Sequence, residues 1–121
     1  MAPHNFPKDE RIRARQEFTE IFNTARKTHS SHLILFRRSN GRESARVGIT
    51  ASRKVGVAVV RNRVKRLIRE YYRQHKADFT PGFDYSLVVK KSFSRLSRRA
   101  AESELSAILA KSARSKLSSP T

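Results

Sequence analysis

The 121-residue chain has no cysteine and no tryptophan, four glycines, four prolines, and only ten acidic residues against 27 lysines and arginines. Without cysteine there can be no disulfide, no thiolate metal site and no cysteine nucleophile. No apolar run approaches the roughly 18 residues that a membrane-spanning helix needs, and the N-terminus lacks the apolar core of a secretory signal. These absences predict a soluble, unanchored, cytoplasmic protein. The length predicts one domain, and 37% hydrophobic residues suffice for a core.

What is abundant is positive charge, a formal net of +17. Such an excess repels itself and is ordinarily kept for a polyanion, where each phosphate contact releases condensed counterions. An anionic membrane surface is the competing partner. That reading wants a basic amphipathic helix with Trp, Phe and Leu on an unburied face. Here tryptophan is absent and the apolar segments read as parts of one core, which favours nucleic acid.

Repeats, heptads and internal linkers are absent. Residues 1–13 are polar, contain Pro3 and Pro7, and read as an irregular arm. Phe18, Ile21, Phe22 and Ala25 recur at helical spacing, predicting a helix from about Arg15 to Ala25. His32–Arg38 is short, apolar and β-prone; Asn40-Gly41 is a hairpin signal. Val47, Ile49 and Ala51 alternate with Gly48, Thr50 and Ser52, the pattern of a half-buried strand. After Gly56 helical periodicity runs from about Ala58 to Gln74. Pro81-Gly82 then turns into a strand with Phe83, Tyr85, Leu87 and Val89 on one face. A last helix spans roughly Arg98 to Ala113, with Ala101, Leu105, Ile108 and Leu109 inward. The single domain is thus placed at 14–113, followed by a basic, serine-rich tail at 114–121. Helix, strands, helix, strand, helix is the order of an α/β (α+β) two-layer sandwich.

The central helix carries the strongest signal. At about 100° per residue from Val60, Val64, Leu67, Ile68 and Tyr71 fall between roughly −20° and 80°. Asn62, Lys65, Arg66, Arg69 and Arg73 fall between about 140° and 240°, directly opposite, with Arg61 and Arg63 on the flanks. Arg53 to Lys76 holds nine basic residues and one acid, Glu70. Solvated helix faces normally interleave acids with bases at i, i+4; this one scarcely does, which points to an external anion. Arginine predominates, as suits planar contacts to phosphate. Upstream, Ser52 to Gly56 offers backbone N–H groups and the cations Arg53 and Lys54 for a phosphate near the helix start. No Walker pattern is present.

Three runs, Arg46-Val-Gly-Ile-Thr50, Ser52-Arg-Lys-Val-Gly56 and Ala58-Val-Val-Arg-Asn-Arg-Val-Lys-Arg-Leu-Ile-Arg-Glu70, together resemble the signature of the bacterial ribonuclease P protein component. Phe18-Thr-Glu-Ile-Phe22 and Asp84-Tyr-Ser-Leu-Val-Val-Lys-Lys91 extend the resemblance to roughly residues 11–110. Val57 departs from it, standing where the family more often has a polar or basic residue.

The resemblance implies an αβββαβα order around a small central sheet, a left-handed βαβ crossover, and one further short strand within Arg26 to His32. It implies a subunit that binds a large catalytic RNA and helps it remove the 5′ leader of precursor tRNA, with Mg²⁺ held mainly by the RNA and no obligate protein partner. Arg53, Arg61, Asn62, Arg63, Lys65, Arg66, Arg69 and Arg73 match the region facing that RNA. The cleft between the first helix and the sheet matches the place of the leader. Phe18, Phe22 and Phe36 supply aromatic platforms there, and Thr50, Ser52 and Lys54 are expected to project alternately from the second strand. Spacing alone favours Phe18 and Phe22 as ordinary core; the resemblance is what points them toward the leader.

A protein-borne phosphodiesterase would need clustered carboxylates for Mg²⁺ or a histidine pair. Glu17 with Glu20, Glu102 with Glu104, and His29 with His32 are the nearest approaches, and none resembles a nuclease set. No catalytic or metal-binding residue is expected in the chain. The alternatives are a free-standing or ribosomal-type RNA-binding protein and a metal-dependent nuclease active alone.

Overall fold

A computed structural model gives the structure of residues 10–12 and 15–114. The elements are α1 (Arg15–Thr24), β1 (Arg26–His29), β2 (Leu33–Ser39), β3 (Arg46–Thr50), α2 (Ala58–Gln74), β4 (Phe83–Val89) and α3 (Arg98–Arg114), with short 3-10 turns at Arg53–Val55, Lys76–Asp78 and Lys91–Arg95. The expected αβββαβα order is present, and β1 is the additional strand. Most of the expected arm, and the tail beyond Arg114, lie outside the described residues. Within the arm, Arg11 bridges Val47 in parallel, and the Ile12 N–H donates to the Val47 carbonyl at 3.0 Å.

The strands form one mixed sheet in the order β1-β2-β4-β3; only β3 and β4 are parallel. A hairpin between β2 and β3 at Asn40-Gly41 is therefore not what forms. The turn is real, with Gly41 at a φ of 68° and the Asn40 side chain accepting from the Arg42 N–H. But a turn signal fixes only a local change of direction. Asn40 donates its N–H to the Gly82 carbonyl and its side-chain amide to Asp84, which ties this corner to the start of β4. β4 then lies between β2 and β3, and α2 supplies the crossover that a parallel pair requires.

Two further expectations about β3 change. It is buried on both faces from Arg46 to Gly48, because α1 lies on the side predicted to face solvent. The strand also stops at Thr50, so Ser52 and Lys54 do not continue its alternation. Ser52 instead caps the 3-10 turn, its hydroxyl accepting from the Lys54 N–H at 3.3 Å.

α2 and α3 cover one face of the sheet. Val64, Ile68 and Tyr71 from the expected stripe, joined by Tyr72, pack with Ala101, Leu105, Ile108 and Leu109 against Leu33, Leu35, Val47, Tyr85, Leu87 and Val89. Each such fully buried aliphatic contributes about 1.5–3 kcal/mol. A smaller core lies under α1 on the other face, where Ile12, Ile21 and Phe36 meet Phe18, Ala25, Ile34 and Val88. α1 approaches so closely because residue 48 is glycine: a Cβ there would stand 2.6 Å from the Phe18 ring. Gly56, at a φ of 153°, makes the turn into α2, and a side chain would meet Val60 at 3.1 Å.

Candidate nucleic-acid interface

α2 is helical from Ala58 to Gln74 because nothing within it interrupts a 3.6-residue apolar stripe. Burying that stripe forces the opposite side outward. Asn62, Arg63, Arg66 and Arg69 are exposed, Arg61, Lys65 and Arg73 half-buried, and Arg53 and Lys54 exposed on the preceding turn. Among the described residues, Arg53, Lys54, Arg61, Arg63, Lys65, Arg66 and Arg69 form no ion pair. Arg61 donates to the Gly56 carbonyl and Arg63 to the Ser94 carbonyl, each at 3.2 Å. These bonds aim the guanidinium groups without cancelling their charge.

Glu70, the one acid of α2, lies 3.8 Å from Arg73 of the same helix and is hydrogen-bonded to α3. Arg98 donates to it at 2.7 Å, and this hydrogen bond holds the carboxyl below its ordinary pKa. The helix begins at Val57 without a side-chain cap and without an acid in its first turn. Its N-terminal N–H groups add partial positive charge beside Arg53, Lys54 and Arg61.

The second surface lies beside α1. Strand register puts Lys27, Ile34, Phe36, Ser86, Val88, Gly48 and Thr50 on the same face of the sheet. Ten-residue α1 covers only part of it. Phe18 lies over Gly48, Phe22 packs on Phe36 with ring centroids 4.7 Å apart, and Phe22 remains 42% exposed. Lys27 Nζ stands 5.6 Å from the Phe36 centroid. Ile34, Thr50 and Val88 are half-buried. Phe18, Phe22, Phe36 and Thr50 therefore meet on one face, while Ser52 and Lys54 belong to the turn leading to α2. Phe36 is the most buried of the three rings, a wall more than a platform.

Sequence reasoning missed Lys27, Ile34 and Val88. The signal was there: Leu33-Ile-Leu-Phe36 is continuously apolar, which marks a strand covered on both faces rather than one.

Sequence reasoning also missed a buried ionic cluster that anchors α1. Arg46 donates to both oxygens of Asp84, at 2.9 and 2.8 Å, and to Glu17 of α1 at 2.8 Å. Asp84 is fully buried and also accepts from Asn40 at 2.9 Å. Burial pushes the Asp84 carboxyl toward its neutral form, but hydrogen bonds from Arg46 and Asn40 prevail and hold its pKa below the usual carboxylate range. The same Asp84 bond, opposed by burial and reinforced by Glu17, raises Arg46 further above its already high value.

The remaining acid and histidine pairs divide rather than converge. Glu20 faces Arg38, Glu102 faces Arg98, and Glu104 accepts from Ser30 and from the His32 backbone and contacts the His32 ring. Among the described residues, no three His, Asp or Glu side chains converge as metal ligands, and no helix is long and apolar enough to cross a membrane.

Known proteins are similar to this chain in sequence and fold. The family described as Ribonuclease P matches residues 6–113. The ribonuclease P protein component of Geotalea uraniireducens is 44% identical over 101 residues, spanning 79% of this chain and 88% of its own length. That of Desulfosudis oleivorans is 37% identical over 114 residues, 94% of each chain. The RNase P protein from Thermotoga maritima superposes with a TM-score of 0.77 at 32% identity, covering 83% of this chain and 94% of that one. The Staphylococcus aureus RNase P protein, at 24% identity, shares the fold with a TM-score of 0.80 over 85% of this chain and 94% of its own. The chain belongs to the family of ribonuclease P protein components.

Proposed function

We propose that the chain is the protein subunit of ribonuclease P, binding the catalytic RNA through α2 and the 5′ leader of precursor tRNA beside α1. The observation that carries this reading is the row Arg53, Arg61, Arg63, Lys65, Arg66 and Arg69 on α2 and its leading turn, which form no ion pair among the described residues. Arg53, Arg61, Arg63, Lys65, Arg66, Arg69 and Arg73 face the phosphates of the catalytic RNA, with Asn62 supplying an amide donor and acceptor. Arginine forks suit those contacts.

Phe22, with Phe18 and Phe36 behind it, offers a stacking surface for unpaired leader bases. Lys27, Lys54, Thr50 and Ser52 supply charge and hydrogen bonds along its path. Mg²⁺, which would supply water activation and leaving-group stabilisation, would be held mainly by the RNA; in support, among the described residues Glu17 and Asp84 face Arg46, Glu70 faces Arg98 and Glu104 faces His32. The protein's own work is to neutralise phosphate repulsion and position the substrate. No protein partner is required, and the cytoplasm, where tRNA precursors are made, is the expected compartment.

Precursor tRNA cleavage tests this. The chain alone is expected to cleave nothing, and at low Mg²⁺ it should restore cleavage by ribonuclease P RNA. Cleavage by the chain alone would overturn the division of labour. Failure to help the RNA would leave a free-standing RNA-binding protein.

A further inference from the structure

A groove of about 570 Å³ runs between α2 on one side and the 3-10 turn Lys91–Arg95 and the start of α3 on the other. Small-molecule sites typically span roughly 300–1,000 Å³, so it can hold a nucleotide-sized group. Leu67 and Leu96, both half-buried, form its floor over the buried Val64 and Phe93. Arg63 and Arg66 rise on the α2 side, Arg95 and Arg98 on the other.

The two ends differ. At one, Arg63 reaches across to the Ser94 carbonyl. At the other, Arg98 is bound by Glu70 and Glu102. Arg95 and Arg66 form no ion pair among the described residues. Lys90 to Arg99 contains five cations and no acid, a concentration of charge that the reading of α2 does not use.

An apolar floor between guanidinium walls matches a molecule with a flat apolar body and a charged backbone. A bare phosphate would have no use for the leucines, and an apolar peptide none for the arginines. A regular duplex presents its phosphates on a convex surface and would leave the recess empty. An unpaired nucleotide fits both parts: the base lies on the leucines while its flanking phosphates meet guanidinium groups. Glu70 sets the direction, because a carboxylate repels phosphate but accepts hydrogen bonds from base N–H groups.

We propose that this groove receives a single unpaired nucleotide of the bound RNA, with its phosphates toward Arg66 and Arg95 and its base edge toward Glu70. The proposal rests on the RNA-binding reading above and adds a second, concave contact to it.

The test is base probing of in vitro transcribed ribonuclease P RNA, with dimethyl sulfate for A and C, kethoxal for G and a carbodiimide for U, in the presence of the full chain, the Arg95→Glu variant or the Leu96→Glu variant. Arg95 is exposed, so its variant keeps the fold; circular dichroism verifies Leu96→Glu. The parent chain should protect at least one unpaired base. Both variants should restore reactivity at that base, with RNA affinity reduced about tenfold. Retained protection in the folded variants, or weaker binding with no change in base reactivity, would overturn the groove while leaving the α2 interface intact. Failure of the parent chain to bind the RNA would overturn both. Binding of free adenosine monophosphate without base protection in the complex would also overturn the proposal, because the groove would then be a small-molecule site.

Discussion

Arg46 and Arg63 carry the same guanidinium group in opposite circumstances. Arg46 lies buried beneath α1, its fork filled by Asp84 and its remaining N–H groups directed at Glu17. Arg63 stands exposed on α2 with one backbone carbonyl and no acid. Burying the Arg46 charge without a carboxylate would be costly, and Asp84 with Glu17 offsets that cost. An exposed arginine costs little unpaired, and a face left without acids remains available to phosphate. Among the described residues, the fully buried Asp84 serves the buried Arg46, whereas Arg53, Arg61, Arg63, Lys65, Arg66 and Arg69 of the proposed interface form no ion pair.

The largest expected effect separates those two sites. Asp84→Asn leaves Arg46 buried with half its partner and should lower unfolding stability by about 3–5 kcal/mol in urea titration. Arg63→Ala should change stability by less than about 0.5 kcal/mol. Equal losses would erase the distinction between structural and interface arginines.

Next comes the cleft beside α1. Phe22→Ala should reduce the preference for leader-bearing precursor over mature tRNA by about tenfold, the loss of one stacked base, in competitive binding to the holoenzyme. An equal loss for both RNAs would make Phe22 part of the small core and nothing more.

Acid pH sharpens the same contrast at smaller amplitude. Asp84 and Glu104 both have lowered folded pKa values. Burial opposes that shift at each; Arg46 and Asn40 outweigh it at Asp84, and Ser30 and His32 at Glu104. Their stabilisation is therefore complete above the unfolded carboxylate range, about pH 4–5, and is lost as pH falls through the lower folded values. Glu104→Gln should flatten the acid limb of the stability curve and leave RNA affinity at neutral pH unchanged. A steeper acid limb in the variant would contradict the sign.

Most of the helical architecture was legible because helices are specified locally. Val64, Ile68, Tyr71, Leu105 and Ile108 show their face through spacing alone. The strand order was not legible, because pairing is decided by which strand can be buried on both sides. Phe83 to Val89 takes the centre, and that outcome depends on contacts far apart in sequence. For the same reason the Asn40-Gly41 turn pointed to a neighbour that β3 does not have. The cationic face of α2 was readable because missing acids are a property of sequence. The Arg46–Asp84 pair was not, since 38 residues separate partners that β3–β4 register alone brings together.

The most direct measurement is the salt dependence of affinity for ribonuclease P RNA, comparing the parent chain with the triple variant Arg61→Ala, Arg63→Ala, Lys65→Ala. The variant's plot of log affinity against log salt should be shallower by about three, one for each phosphate contact removed. A slope identical to that of the parent chain would mean that these side chains touch no phosphate, and would contradict the assignment of α2 as the RNA-binding face.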